Sequence, residues 1–572
     1  MKNLMSLLSH FNRIRAVLCV LCVISVSSIA SQNTNRVLEL EPEVPDDPYV
    51  YVNKSSMPTQ AAYRNAQGAF FTNQVNIDAS GNDIIGDAGN EPSIAVDPTN
   101  PDRIVIGWRQ FDNIASNFRQ AGNAYSLDGG QTWVNPEPLD AGVFRSDPVL
   151  DFDANGNFYY NSLQSNFSCD VYKITDGGQD WGAPFPARGG DKQWMRIDRT
   201  GGIGDGHNYS YWNSSFTTCE PGSFTRSTNG SNNFETCLEI DGDPRWGTLA
   251  VGDDGTLYMS GVSNTTGEII VVQSSTAKDP NADVTWDTLA QANLDGFLNV
   301  GVPLNPSGLW GQCWVDVDIS GGPGNGNVYV CASVARNSGT DPADVMFTRS
   351  TDGGMTFEPP IKINKDSVGN YNWFGVMSVA PNGRIDVIWL DTRNADGGIN
   401  SELFYSSSID QGTTWSEDVS ISLPFDPTIG YPNQSKMGDY YDMVSTNDGA
   451  HLAWTSTING GQDVYYSFIP PSILDVETFS IAQDLELKIV PNPFSEETTI
   501  SFNASPNEKV TVEVFNIHGQ KVNTLVNEEI FTETQTIQWD TTNGSGSKLA
   551  SGIYFISLQS GADRSTIKAV KL

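Results

Sequence analysis

Three carboxylates and a tyrosine carry the most chemistry in this chain. Glu91, Asp147 and Asp439 stand at or beside the heads of strand-like runs, EPSIAVD, SDPVLDFD and GDYYDMVS, and Tyr440 follows Asp439 directly. Two carboxylates roughly 5 to 10 Å apart across a glycosidic bond can cleave it, one as acid and the other as base or nucleophile. A tyrosine with a nearby arginine offers a general base. Arg109, Arg245, Arg336 and Arg393 fall at the ends or starts of similar runs, in a chain with only 32 basic residues. Guanidinium forks fit carboxylate or sulfate. Trp194, Trp246, Trp314 and Trp373 occupy the opening strands, where indole faces suit sugar rings and equally suit packing between sheets.

Other chemistries find little support. Of four histidines, His10 and His518 lie near the chain ends. His207 falls in a predicted turn and His451 within a predicted strand, so a His-metal site or a Ser-His-Asp triad is not expected. No cofactor is called for. Calcium at the turn Asp151–Asn157 is the one alternative, since its acidic spacing matches half of an EF-hand loop and lacks the distant Glu.

The elements that must position these residues repeat along the chain. Each unit opens with an apolar strand: EPSIAVD, SDPVLDFD, DKQWMRID, PRWGTLAV, GQCWVDVD, YNWFGVMSV and GDYYDMVS. A turn rich in Asp, Asn and Gly and a second strand such as RIVIGW or IDVIWL follow each one. A third strand then leads into SLDGGQTW (126–133), STDGGMTF (350–357) or SIDQGTTW (408–415), with worn copies ITDGGQDW (174–181) and STNGSNNF (227–234). In such a turn the Asp carboxylate can accept backbone N–H groups, glycine permits positive φ, and the closing aromatic packs onto the sheet.

The phrase resembles the Asp-box, or bacterial neuraminidase repeat, of sialidase-type propellers. The resemblance implies an all-β fold, a β-propeller followed by a small C-terminal β-sandwich. Seven blades are favoured and six is the alternative. Sheets of four short strands bury their faces against one another only when arranged in a ring. A strand within residues 67–78 is expected to complete the last blade. The candidate residues should then converge on the face opposite the Asp-boxes. The catalytic residues of true sialidases do not carry over. EPSIAVDP stands where the early Arg-Ile-Pro motif belongs, and Arg245, Arg336 and Arg393 imitate an arginine triad without matching its positions.

From about residue 485 the texture changes: KIVPNPFSEETTISF, VTVEVFNIHGQKVNTLV, LASGIYFISLQSG and TIKAVKL. This resembles the C-terminal type A sorting domain of the type IX secretion system of Bacteroidetes. That implies a β-sandwich, partnership with the secretion machinery, and export to the outside or outer cell surface. The expected organisation is a signal peptide (1–30), an acidic arm (31–66), the propeller (67–475), a linker (476–484) and the sorting domain (485–572). The signal reading rests on Lys2, Arg13 and Arg15 before AVLCVLCVISV and on small residues up to Ala30. No later stretch is long and apolar enough for a transmembrane helix.

Net charge is −36, with 68 acidic residues, which disfavours nucleic acid as a partner. After signal removal five cysteines remain in an oxidising setting. Cys313 and Cys331 flank a predicted hairpin and are expected to pair. Cys169–Cys219 and Cys219–Cys237 are competing arrangements for the rest. The functional expectation is a propeller acting on a polysaccharide or glycoconjugate, anionic by its arginines, as a glycoside hydrolase or lyase. The alternative is a non-catalytic propeller that binds glycan or protein. A close carboxylate pair at the channel mouth would favour the enzyme, and a closed mouth the binding module.

Overall fold

The computed structural model describes residues 46–471 and 487–572, apart from 68–69, 176–178, 339–340, 368, 396, 504–507, 517–520, 531–533, 545 and 561–562. The signal segment, residues 31–45 of the arm, the 476–484 linker, His10, His518 and the centre of ITDGGQDW lie outside them. The chain divides into two compact units, with the boundary between Ile473 and Leu474. All regular elements among the described residues are strands, apart from one short 3-10 turn at Lys54–Ser56. No helix among them is long and apolar enough to cross a membrane.

In the first unit, beside two two-stranded sheets, Thr59–Ala61 with Asn82–Ile84 and Val300–Val302 with Asn305–Leu309, seven antiparallel sheets of three to five strands follow one another among the described residues. Their first strands are Ala88–Val96, Ser146–Phe152, Trp194–Ile197, Leu249–Val251, Trp314–Val317, Asn372–Val379 and Asp442–Thr446; we number the sheets one to seven in this order. Each first strand packs beside the next, and that of sheet seven returns to that of sheet one. The result is a closed ring, a β-propeller. The faces of adjacent sheets supply the cores. Val105, Leu150, Phe158 and Tyr160 fill the space between sheets one and two, and Ile94, Trp108, Val464 and Tyr466 that between seven and one. Sheet seven is finished from the other end of the chain: Phe70–Gln74 pairs antiparallel with Asp463–Ile469, Phe71 opposite Phe468.

A first strand has a sheet partner on one edge only, and a buried N–H left unpaired is costly. Here side chains of the neighbouring first strand cap that edge all the way round. Ser93 Oγ accepts from Leu150 N at 2.8 Å, and Asp151 Oδ2 from Ile197 N at 2.6 Å. Arg196 Nε donates to Leu249 O at 3.0 Å, and Thr248 Oγ1 accepts from Val315 N at 3.0 Å. Asp316 Oδ2 accepts from Val379 N, Ser378 Oγ from Ser445 N, and Asp442 Oδ2 from Ile94 N, at 2.8, 3.0 and 3.1 Å. The cycle is complete over all seven sheets.

The SLDGGQTW turn behaves as its residue types require. Asp128 Oδ1 accepts from Thr132 N at 2.9 Å, and Asp128 Oδ2 from the Thr132 hydroxyl at 2.6 Å. Gly130 N donates to Ser126 Oγ at 2.8 Å. Asp352 and Asp410 repeat this network with Thr356 and Thr414. Each turn also grips the preceding sheet. Gly130, at φ +85°, lies under the Tyr466 ring, which a Cβ there would approach to 2.1 Å; Gly412 stands likewise on Phe347.

One cysteine expectation is corrected. Cys219 and Cys237 are bonded, whereas Cys169, Cys313 and Cys331 are free and buried. The register sets Cys331 opposite Trp314. Cys313 is the preceding residue, and alternation turns its side chain to the other face.

The second unit is a β-sandwich. One sheet holds Lys488–Val490, Thr498–Asn503 and Thr534–Trp539. The other runs Lys521–Ile530, Glu508–Asn516, Gly552–Ser560, Asp563–Lys571. Ile500, Val512, Val514, Trp539 and Ile556 meet in its core.

The edge caps yield a test. Thr248→Val keeps shape and removes the acceptor of the buried Val315 N–H. It should cost about 1–3 kcal/mol, read as a lower denaturant midpoint at unchanged slope. An unchanged midpoint would deny the caps their weight.

Candidate functional site

At the head of several first strands the backbone makes a bulge. The register shifts between Asn90 and Ser93, between Ser146 and Val149, and between Trp373 and Val376. Glu91, Asp147, Lys192, Trp246 and Phe374 have φ between +47° and +57°, a conformation that bulky L-residues rarely adopt. Gly438 makes room for one of them: a Cβ there would lie 2.7 Å from Glu91 Cγ.

The bulges gather charge on the ring axis. Arg109 Nε lies 3.2 Å from Glu91 Oε2. Lys192 Nζ is 2.8 Å from Asp439 Oδ2, 3.4 Å from Asp191 Oδ1 and 3.9 Å from Asp147 Oδ2. Lys436 Nζ is 2.8 Å from Asp439 Oδ2 and 3.8 Å from Glu91 Oε1. Glu91 and Asp439 are wholly buried, and Asp147 nearly so. Above them is a pocket of about 50 Å³, room for a few water molecules, lined by Arg109, Arg119, Asp147, Lys192, Gln434 and Lys436. Arg119 holds Asp46 of the N-terminal arm at 2.7 Å beside it.

Aromatic rings close the channel beneath. Trp194 meets Trp314 edge-on at 5.1 Å and Tyr440 at 5.3 Å. These rings come from sheets three, five and seven, so they meet only across the axis. Tyr440 donates its hydroxyl to Pro148 O at 2.8 Å. Beyond this plug, toward the strand-one-to-strand-two turns, lies a roomier cavity of about 730 Å³ lined by Trp314, Arg196, Asp316, Met377 and Met443.

Of the residues singled out in the sequence, Glu91, Asp147, Asp439, Tyr440, Arg109, Trp194 and Trp314 come together. The others stand apart. Arg245 lies over the Trp246 ring at 4.3 Å. Arg336 is taken by Asp295 and Asp344, at 2.8 and 2.6 Å. Arg393 is taken by Asp391 and Asp418, at 2.6 and 2.8 Å. Trp373 is fully buried and donates to Ser401 Oγ. In the Asp151–Asn157 turn, Asp153 accepts from the Asn155 and Asn157 amides, while Asp151 turns to Ile197 and Arg199. The two carboxylates therefore do not face a common ligand. Sequence reasoning passed over Lys436, which lies on a loop outside the repeat, and Arg119, just before a third strand. Their one signal was the scarcity of basic residues.

The three axial carboxylates are driven apart in acidity. Burial pushes Glu91 from 4.5 up to about 8, against the pull of Arg109 and with the repulsion of Asp439 and Asp147 added. Burial also works to raise Asp147, but Lys192, Arg109 and the Ser146 hydroxyl outweigh it and hold it below the usual range. Asp439 is buried too, yet Lys192, Lys436 and a hydrogen bond from Glu91 hold it far down. Within one cluster, then, the Glu91 carboxyl is pushed toward its neutral form and the Asp147 and Asp439 carboxyls toward their ionised forms.

This has a thermodynamic consequence. Glu91 holds its proton in the folded state up to about pH 8 and loses it near 4.5 when unfolded. Its contribution to stability is full below the unfolded value and falls as pH rises through that window. Glu91→Gln should therefore gain on the wild type between pH 5 and 8.5, measured as the difference in denaturant midpoint. Parallel curves would contradict the assignment.

Residues 488–571 match the model of the secretion system C-terminal sorting domain. No curated protein matches the chain. Solved structures that resemble it include a protein of unknown function from Dyadobacter fermentans, 15% identical over 68% of this chain and 98% of that one, TM-score 0.37. Another is the GH93 α-L-arabinofuranosidase of Fusarium graminearum with arabinobiose, 13% identical over 73% and 99%, TM-score 0.39. A third is the BP39L lectin of Burkholderia pseudomallei, 14% identical over 65% and 97%, TM-score 0.41. None of these likenesses is close enough to assign a substrate. The sorting domain directs export through the type IX secretion system to the cell surface or beyond, and the chain is an exported β-propeller protein that carries this domain.

Proposed function

We propose that the propeller acts on glycans outside the cell, as a glycoside hydrolase or lyase on anionic polysaccharide. The observation that carries this reading is the placing of Glu91 and Asp439 about one ammonium group, Lys436 Nζ, at 3.8 and 2.8 Å, with burial driving the first toward its acid form and Lys192 and Lys436 holding the second toward its ionised form. A general acid beside a general base is what glycosidic cleavage needs. Glu91 would donate the proton to the leaving oxygen. Asp439 or Asp147 would serve as base. Arg109, Arg119, Lys192 and Lys436 line the pocket, each beside a carboxylate with which an incoming uronate, sialate or sulfate group would compete. Tyr440, whose hydroxyl already donates to Pro148 O, is the less suited base.

A second reading has its own support. The pair is wholly buried, and the pocket above it is smaller than a sugar ring. A non-catalytic propeller that binds glycan or protein fits that closed mouth.

The two readings part in one experiment. The full-length protein is incubated with a panel of sialylated, uronic and sulfated polysaccharides, and reducing ends and unsaturated products are measured alongside retention on immobilised glycan. The catalytic reading expects product, reduced at least ~100-fold by Glu91→Gln and by Asp439→Asn. Retention without product, unchanged in Glu91→Gln, would establish the binding module instead.

A further inference from the structure

Away from the axis, where the ring is joined, a second acidic group stands out. Asp83 and Asp87 come from the N-terminal segment that runs into sheet one, and Asp463 opens the third strand of sheet seven. Each offers a carboxylate oxygen within 4.8 Å of the others, and all three are at least 95% buried. The cation within reach is Lys54, 3.4 Å from Asp87 and shared with Asp112 at 3.2 Å.

The surroundings are incompletely satisfied. Asp83 accepts from Gln60 and Gln74 at 2.7 Å and from Asn459 at 3.0 Å. Asp463 Oδ1 accepts from Asn76 at 2.8 Å. Asp87 Oδ1 and Asp463 Oδ2 are buried with no hydrogen-bond donor among the described residues. Two orphaned carboxylate oxygens in one buried pocket are costly unless something positive meets them.

We propose that Asp83, Asp87 and Asp463 form a binding site for a hard divalent cation, calcium by its all-oxygen donor set, which fastens the N-terminal segment to the closing sheet. Oxygens on opposite sides of a calcium ion stand about 4.6–5.2 Å apart, twice the usual 2.3–2.6 Å bond; the trio fits within that span. Carboxylates without nitrogen or sulfur ligands select calcium over zinc or copper. The turn Asp151–Asn157 differs in geometry, because Asp153 folds back onto the Asn155 and Asn157 amides while Asp151 turns away to Ile197 and Arg199. The position matters as much as the chemistry: the ion would bridge residues 376 and 380 positions apart, across the seam of the ring.

The test uses the full-length protein freed of metal with EDTA and titrated with calcium chloride. One equivalent should bind calorimetrically, and saturating calcium should raise the thermal midpoint by about 2–4 °C. Asp463→Asn and Asp87→Asn should abolish both effects. In EDTA at pH 8, Asp463→Asn should match or exceed the wild type, since it removes repulsion, which separates loss of the ion from loss of the fold. No calcium uptake by the wild type, or the same uptake and shift in both variants, would overturn the proposal. The result does not depend on whether the axial site is catalytic.

Discussion

The free edge of each innermost strand is the constraint on which this molecule turns. A radial sheet buries its faces against its neighbours, but its inner strand still presents one edge of backbone groups that no further strand covers. The chain answers with short polar side chains placed one sheet away. Ser93, Asp151, Thr248, Asp316, Ser378 and Asp442 each accept an N–H from the adjacent first strand, and Arg196 supplies the remaining link through Leu249 O. These bonds hold neighbouring sheets in fixed register, which apolar packing alone would leave adjustable. Everything at the axis inherits its position from them.

The charged cluster shows what that fixed register permits. Glu91 and Asp147 sit in backbone conformations that side chains of their size avoid, and they remain there because the strands on both sides are pinned. Gly438 concedes the space that Glu91 fills. Three acids and three bases are thereby packed into a region closed below by Trp194, Trp314 and Tyr440. Low exposure raises the stakes of each charge: it pushes Glu91 toward its neutral form, while the neighbouring cations hold Asp147 and Asp439 below the usual carboxylate range.

Much of the fold was legible in the sequence because repetition reports it directly. The seven opening runs correspond to the seven first strands, and the Ser-x-Asp turns form the hydrogen bonds that their residue types require. Part of the candidate site was legible for the same reason: Glu91, Asp147 and Asp439 stand at or beside the heads of first strands, and Arg109 at the far end of a second strand beside them. What escaped lay outside it. Lys436 stands on a loop with no counterpart in other units. Arg336 and Arg393 look equivalent to Arg109 by position, yet Asp295, Asp344, Asp391 and Asp418 are local additions that claim them. The Cys313–Cys331 pairing failed on alternation, a matter of one residue in register that spacing does not reveal.

The seam of the ring carries a temporal consequence. Thr72 and Ser467, hydrogen-bonded across it, are 395 residues apart. The Phe70–Gln74 strand has a local partner in Arg64–Gln67 but waits for nearly the last part of the propeller before its other edge is covered. Until then one edge of its hairpin with Arg64–Gln67 is open to any other chain that passes. A molecule built this way depends on whatever keeps that early segment solitary while the remaining sheets assemble.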